Sequence, residues 1–330
     1  MSTDIPADGE PFAAPSVVSE ELAGATAAAL TPLAPGLYLV ATPIGNLEDM
    51  TLRGLRVLRS VDRIACEDTR QTVKLLNHFG IKKPTVSYHL HNEQDRSSEL
   101  VAQLIAGARI AVVSDAGTPG IADPGEPLVR AAIAAGIPVF PVPGANAVLS
   151  ALIASGFSTE SFTFHGFLPS KEGQRRTALE QLRELLRAGS GTNGEAVVPT
   201  QIFYEAPHRI RETLAEIVSV FGPGHKVALA RELTKLHEEF LRGTVGEVLA
   251  AVQSRAVIRG EMVLLLDGRY SGANGQTASS GQTVAEEVAA CMRTEAMSEK
   301  DALKRVAKAR GLGKSEAYRE WQRSRSSSRS

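Results

Sequence analysis

Cysteine is almost missing from this chain: 330 residues hold two, Cys66 and Cys291, far apart and without metal-ligand spacing. That excludes a disulfide framework, gives no zinc signature, and leads us to expect a reduced cytoplasmic protein without a metal. Aromatics make up 5% with a single Trp, so no base-stacking platform is evident from the sequence. No run approaches the roughly 18 apolar residues that span a bilayer, so no membrane is expected. Residues 1–35, rich in Ala, Pro and acidic residues, lack the basic start and apolar run of a secretory signal and read as a disordered leader. Net charge is −1, so the whole chain does not advertise nucleic acid, although its distribution is uneven.

Hydrophobic residues make up 43%, enough for packed cores, and the length suits about two domains. From Gly36 short apolar runs alternate with helical periods. Strands are expected at Leu37–Ala41, Arg63–Cys66, Thr85–Tyr88, Ile110–Val113 and Ile137–Phe140. Helices between them carry Leu52, Leu55 and Leu58, then Leu75, Leu76 and Phe79, then Leu100, Val101, Leu104 and Ile105, then Leu128 to Ala135. That alternation implies βαβ units on a mainly parallel sheet. The second half predicts helices over Gln174–Arg187, Arg209–Val220 and Val245–Val252. It predicts strands over Gln201–Tyr204, Lys226–Ala230, Glu239–Arg242 and Met262–Leu266, the middle two pairing antiparallel. Ala188–Gly194 reads as a flexible loop.

The expected division is a leader over 1–35, an α/β domain over 36–143, a second α/β domain over 144–269, a Gly/Ser linker over 270–283 and a basic helical unit over 284–330. The last unit holds helical stretches at Val284–Cys291, Ala302–Ala309 and Glu316–Gln322, with a turn at Gly311–Ser315, a fair helix-turn-helix pattern. From Lys300 onward ten basic residues face three acidic ones, a net of +7. Such an end is either an electrostatic footprint for phosphates or a solubilising tail.

In a parallel sheet, ligands bind beyond the carboxyl ends of the strands. Three loops there are unusual. Thr42-Pro43-Ile44-Gly45-Asn46 is a tight turn. Ser114 to Gly125 packs three glycines, two prolines and two aspartates after the best strand, without the lysine of a P-loop or the spacing of a dinucleotide fingerprint. Val142-Pro143-Gly144-Ala145-Asn146-Ala147 enters an Ala-rich helix with small residues at its start. Phe203–Arg209 and Ala230–Lys235 add polar clusters after two later strands. His89 and His91 alternate, as on one strand face, without further ligands beside them.

Six blocks in order carry a resemblance: Thr42–Leu47, Ser114–Pro119, Pro143–Asn146, Gly166–Pro169, Phe203–Arg209 and Arg231–Lys235. Together they resemble the bacterial 16S ribosomal RNA ribose 2'-O-methyltransferases of the tetrapyrrole-methylase superfamily, over about Gly36 to Asp267. Residues 284–322 also look like that family's C-terminal helical domain. The resemblance implies two α/β domains with S-adenosylmethionine in the cleft between them and a small C-terminal helical unit. It implies methylation of the 2'-hydroxyl of one cytidine in the decoding centre of the small subunit, by a homodimer. It places Pro43, Gly45 and Asn46 by the cofactor, wraps Ser114, Asp115, Ala116, Gly117 and Thr118 around its methionine part, and brings Ala145, Asn146 and Ala147 to the same spot. Asn146-Ala147 stands where porphyrin-methylating relatives often carry two serines, a departure that speaks against a tetrapyrrole substrate. Tyr204, Glu205, Glu232 and Leu233 would approach the adenosine, and Met262 would close the pocket.

A ribose hydroxyl needs its proton removed, and Glu205, Glu232 and a burial-depressed Lys235 are the candidate bases; both carboxylates could instead pair with Arg209 and Arg231. Lys171, Arg175, Arg176, Arg209, Lys304, Arg305, Lys308 and Lys314 are candidate contacts to 16S rRNA phosphates. Two other readings are a precorrin-type methyltransferase and a non-enzymatic ribosome-binding protein with a vestigial cofactor fold.

Overall fold

A computed structural model describes residues 32–90, 92–189, 198–269, 288, 291–292, 298–310, 318 and 321. Most of the leader, His91, much of the loop at 188–194, the linker and most of the basic unit lie outside the described residues. The chain divides into two units: one containing 47–145 and the segment up to Pro43, the other containing 146–330 together with Ile44–Asn46.

The first unit holds β1 (Gly36–Val40), α1 (Leu52–Ser60), β2 (Arg63–Cys66), α2 (Thr69–His78), β3 (Thr85–Ser87), α3 (Glu93–Ile105), β4 (Arg109–Val113), α4 (Glu126–Ala134) and β5 (Val139–Val142). Its sheet runs β3-β2-β4-β1-β5 with every pairing parallel. Alternation along each strand divides the core in two. Val40, Ile64, Ala111 and Val113 meet α1 and α2 through Leu55, Leu58 and Leu76. Leu37, Ala65, Ile110 and Val112 meet α3 and α4 through Leu100, Leu104 and Leu128. Burial on both faces is why these strands read as continuous apolar runs.

Three expectations need correcting here. The last strand is Val139–Val142 rather than Ile137–Phe140, because β5 pairs with β1 from Leu37–Val139 to Val40–Val142, and Pro141 is tolerated on an edge strand. Residues before Gly36 already make contacts: Leu33 packs on the core and the Ala34 carbonyl accepts from Tyr38 Oη at 2.7 Å. His89 is not on a strand, since β3 ends at Ser87.

The second unit holds α5 (Ala147–Ser155), β6 (Phe162–Phe167), α6 (Glu172–Gly189), β7 (Thr200–Glu205), α7 (Ile210–Phe221), β8 (Lys226–Arg231), β9 (Glu239–Thr244), α8 (Val245–Gln253) and β10 (Met262–Leu266), followed by α9 (Glu299–Arg310). Its sheet is mixed, in the order β6-β7-β10-β8-β9, and only β6 and β7 are parallel. The antiparallel partnership of β8 and β9 is as expected, with Leu229 opposite Leu241. Phe203, Leu229, Leu264 and Leu266 face α6, α7 and α8 through Leu179, Leu214, Ile217 and Val248. α5 packs against β10 and β8. β6 shows no strand pattern in the sequence because none of its six residues is buried, Leu168 just beyond its end being the first that is. α6 also runs on through Ala188 and Gly189, which the sequence assigned to a loop. Among the described residues of the tail, Val288, Ala302, Val306 and Trp321 form a small cluster.

Candidate active site

In the first unit β4, β1 and β5 are adjacent and parallel, so the loops leaving them emerge side by side. Direct bonds tie them. Thr42 and Gly117 exchange both backbone hydrogen bonds, N to O at 2.8 and 3.0 Å. Thr42 Oγ1 donates to the Ser114 carbonyl at 3.2 Å, and Thr118 Oγ1 to the Ala145 carbonyl at 3.2 Å. Gly117 takes a φ of +82°, which a side chain would strain. Pro43, Ser114 and Gly117 are buried, whereas Asp115 and Ala116 are exposed at the loop's crest. Asn146 Oδ1 accepts from Leu149 N at 3.1 Å and caps α5, which accounts for an amide at that position.

Carboxylates crowd the same strand ends. Asp68 N donates to Asp115 Oδ1 at 3.1 Å. Burial, with the charge of Glu67 next in weight, pushes Asp123 up from 3.8 to about 6. Burial and Asp115 also raise Glu67. Ala122, beside Asp123, holds a φ of +62°. The sequence shows two aspartates in this loop but gives no sign that Asp123 and Glu67 meet; their convergence depends on β2 and β4 being neighbours.

In the second unit, one end of the sheet gathers Tyr204, Glu205, Met262 and the turn after β8. Met262 lies opposite both Glu205 and Arg231 in the register. In the turn, Glu232 and Thr234 adopt φ of +52° and +65°, unusual for residues with side chains. Several contacts hold it. Glu232 N donates to the Glu261 carbonyl at 3.0 Å, and Asn46 N donates to Thr234 Oγ1 at 3.1 Å. Lys235 Nζ bonds Glu232 Oε1 at 2.9 Å and Glu261 Oε2 at 3.2 Å. Gly45 lies so close to the turn that a Cβ there would come within 2.5 Å of Lys235 Cγ. Leu233 is buried beneath.

Each of the three candidate bases is engaged by other groups of the protein. Glu205 has a fully buried side chain, accepts from Thr213 Oγ1 at 2.6 Å and Ala206 N at 2.8 Å, and pairs with Arg209 at 3.4 Å. The Lys235 bond lowers the Glu232 pKa, so Glu232 stays ionised and occupied. Burial pulls Lys235 down, but its bonds to Glu232 and Glu261 outweigh that and leave it raised, the reverse of the depression expected.

The basic candidates separate as well. Arg175 is 2% exposed and engaged by Glu216 at 2.7 Å, so it presents nothing to a phosphate. Arg209 is largely buried and donates to the carbonyls of Leu168 and Pro169. Arg176 pairs with Glu180 one turn on. Lys171, Lys304 and Arg305 are exposed. Lys308 is on α9, and Lys314 lies outside the described residues.

Gly260 offers a test of the strained turn. It has a φ of +92°, and a Cβ there would overlap the Glu232 side chain. Gly260→Ala is expected to displace Glu232 from Lys235 and to destabilise the protein by about 1–3 kcal/mol. Thermal melting reads this; an unchanged melting temperature would show that the turn relaxes freely.

The family described as Tetrapyrrole (Corrin/Porphyrin) Methylases matches residues 36–249. Relatives called "Ribosomal RNA small subunit methyltransferase I" are similar over most of the chain. That of Halalkalibacterium halodurans is 47% identical, covering 86% of this chain and 93% of its own. That of Bacillus subtilis is 42% identical, covering 86% and 92%. Among solved structures, diphthine synthase superposes with a TM-score of 0.53 at 12% identity, over 70% of this chain and 89% of its own. The methyltransferase CobJ superposes at 0.51 and 19%, over 70% and 93%. These two likenesses bear on the fold alone.

Proposed function

Since the chain belongs to the tetrapyrrole methylases and groups with the ribosomal RNA small subunit methyltransferases I, we propose that it methylates small-subunit ribosomal RNA, on a ribose 2'-hydroxyl of a cytidine. The observation that carries the site is the bonded triplet of strand-end loops, Thr42–Pro43, Ser114–Thr118 and Gly144–Ala145, beside a crowd of carboxylates.

S-adenosylmethionine is the methyl donor; it supplies an electrophilic methyl on a sulfonium. The loop suits such a group. Burial first, and then the charges of Glu67 and Asp115, hold Asp123 near 6, and a ligand bearing a sulfonium and an ammonium would offset the cost of ionising it. In this reading Ser114 to Thr118 hold the methionine part, with Pro43, Gly45, Asn46, Ala145, Asn146 and Ala147 beside it. Tyr204, Leu233 and Met262 meet the adenosine. Glu232, locked to Lys235, is left for a cofactor hydroxyl rather than the reacting proton. Glu205 leaves the set of ligands, because its oxygens are already bonded within the second unit.

The protein's part in the reaction is alignment. Holding a hydroxyl in line behind a reactive methyl accounts for roughly 7–11 kcal/mol of a barrier. The Lys235 ammonium, kept charged, favours a partly deprotonated hydroxyl near it. RNA phosphates are met by Lys171, Lys304 and Arg305. Among the described residues no helix is long and apolar enough to cross a membrane. The reading places the protein in the cytoplasm with ribosomes, as a homodimer. Leu149 and Ile153, exposed on α5 at 48% and 76%, support a second copy there.

The test is methyl transfer from labelled donor to small subunits from a strain lacking this gene, followed by nucleoside analysis. Label in 2'-O-methylated cytidine is expected. Donor binding with no label in RNA would overturn the substrate and favour a tetrapyrrole acceptor.

A further inference from the structure

β6 is an edge strand whose outer end breaks the alternation of its side chains. Its pairing with β7 shifts register between Phe164 and Phe167, and Gly166 between them has a φ of +68°. In a regular strand residues three apart face opposite sides. The shift turns both rings to one side instead, where each meets Tyr204, with centroids at 4.9 Å for Phe164 and 5.6 Å for Phe167. Phe167 is 56% exposed. The sequence concealed this group, because its members come from two strands and overall aromatic content is low.

The segment that follows Phe167 is held by buried charge. Arg209 Nη2 donates to the Leu168 carbonyl at 2.8 Å and the Pro169 carbonyl at 3.2 Å, and Arg175 Nη1 to the Ser170 carbonyl at 3.3 Å. Glu205 backs Arg209, and Glu216 and Glu212 back Arg175. Two buried guanidiniums thus clamp three consecutive carbonyls. Burying charge is unfavourable unless it is fully paired. Here the pairing fixes a short segment with an exposed ring at one end, Phe167, and an exposed cation at the other, Lys171. An exposed aromatic on a sheet edge invites aggregation unless something covers it. An exposed ring held at a tilt by its neighbours, beside a cation, complements a nucleobase and its phosphate.

We propose that Phe167, packed with Phe164 against Tyr204, is a stacking surface for a nucleobase of the RNA substrate, with Lys171 on the adjoining phosphate and Arg175 and Arg209 as positioning residues. This rests on the reading of RNA as the substrate. The surface discriminates by shape and stacking, so it orders the nucleotide near the reacting ribose without reading its sequence.

The test measures kcat and KM on small subunits, S-adenosylhomocysteine affinity by calorimetry, and sedimentation, for the wild type, Phe167→Ala, Phe167→Leu and Phe167→Trp. Expected for Ala and Leu is a rise in KM of about 5–100-fold, with Trp restoring most of it. S-adenosylhomocysteine affinity and sedimentation stay as in the wild type. Lys171→Gln is expected to lower the salt slope of subunit binding by about 0.7–0.9. A Leu variant with wild-type KM would overturn stacking. Loss of S-adenosylhomocysteine affinity would assign the rings to the adenine of the cofactor. Unchanged KM with dissociated dimers would make the surface a contact between two copies. Wild-type protein that labels no RNA would remove the functional reading and this surface with it, whereas a labelling wild type with an unaffected Ala variant removes only the surface.

Discussion

Replacing Glu205 by alanine is expected to destabilise the protein by about 3–5 kcal/mol, the loss typical when one partner of a buried ion pair is deleted. The carboxylate is fully buried; the Thr213 hydroxyl and the Ala206 amide donate to it, and the Arg209 guanidinium pairs with it at 3.4 Å. Alanine would strand all three and release the clamp on Leu168 and Pro169. Glu205→Gln keeps one acceptor oxygen and loses the charge, so a smaller loss of about 1–3 kcal/mol is expected. Urea midpoints measure both. In the Gln variant, the pH profile of kcat should keep its wild-type shape, because no reacting proton passes through this group. A Gln variant of wild-type stability whose profile loses its acidic limb would instead make Glu205 the proton acceptor, and its placement here as a structural anchor would be wrong.

Asp123→Asn is expected to act in the opposite direction on stability. Its folded-state pKa is raised to about 6 from an ordinary 3.8, burial being the main cause and Glu67 the next. The folded protein therefore holds this proton more tightly than the unfolded chain does. Below pH ~4 both states are protonated and there is no penalty. As pH rises through 6 the folded state comes to carry a disfavoured charge, a penalty of about 1–3 kcal/mol at neutral pH. The amide variant escapes it. Thermal melts should show the variant more stable than wild type at pH 7.5, with the gap closing towards pH 4. A gap independent of pH would mean that the carboxyl's charge is not the source. On the proposed function, the same variant should bind S-adenosylmethionine more weakly, since a negative charge that would offset the cofactor's positive groups is gone. Wild-type donor affinity should likewise fall as pH drops through about 6. Stability held back for function is common in sites that keep charge in a confined place.

The fold was largely legible because its period is. Val112 and Val113 alternate between two apolar layers, so β4 had to be a buried strand of a parallel sheet. The loop from Ser114 to Gly125 reads as a candidate ligand loop for the complementary reason, since its glycines and prolines suit neither helix nor strand. β6 was not legible, because an edge strand with exposed Phe162, Thr163 and His165 shows no buried face. β5 was misplaced by two residues, because Ile137–Phe140 and Val139–Val142 are alike in apolar content and each holds one proline, and only pairing with β1 sets the register.

Side-chain roles divide along the same line. Ser114, Gly117 and Thr118 could be chosen from the sequence as neighbours of a ligand, since local chain chemistry makes a loop of that kind. Whether Glu205, Glu232 or Lys235 could act as a base could not, because each answer depends on partners that arrive from elsewhere: Thr213 from α7, Glu261 from the turn before β10. Arg175 and Arg176 are adjacent and chemically identical, yet helix geometry buries the first against Glu216 and leaves the second in solvent. The sequence by itself determined the alternation of strands and helices, the loops open to a ligand and the family motifs. Tertiary structure alone decided which charges are free, because burial and pairing are properties of neighbours in space, and a linear spacing carries no record of them.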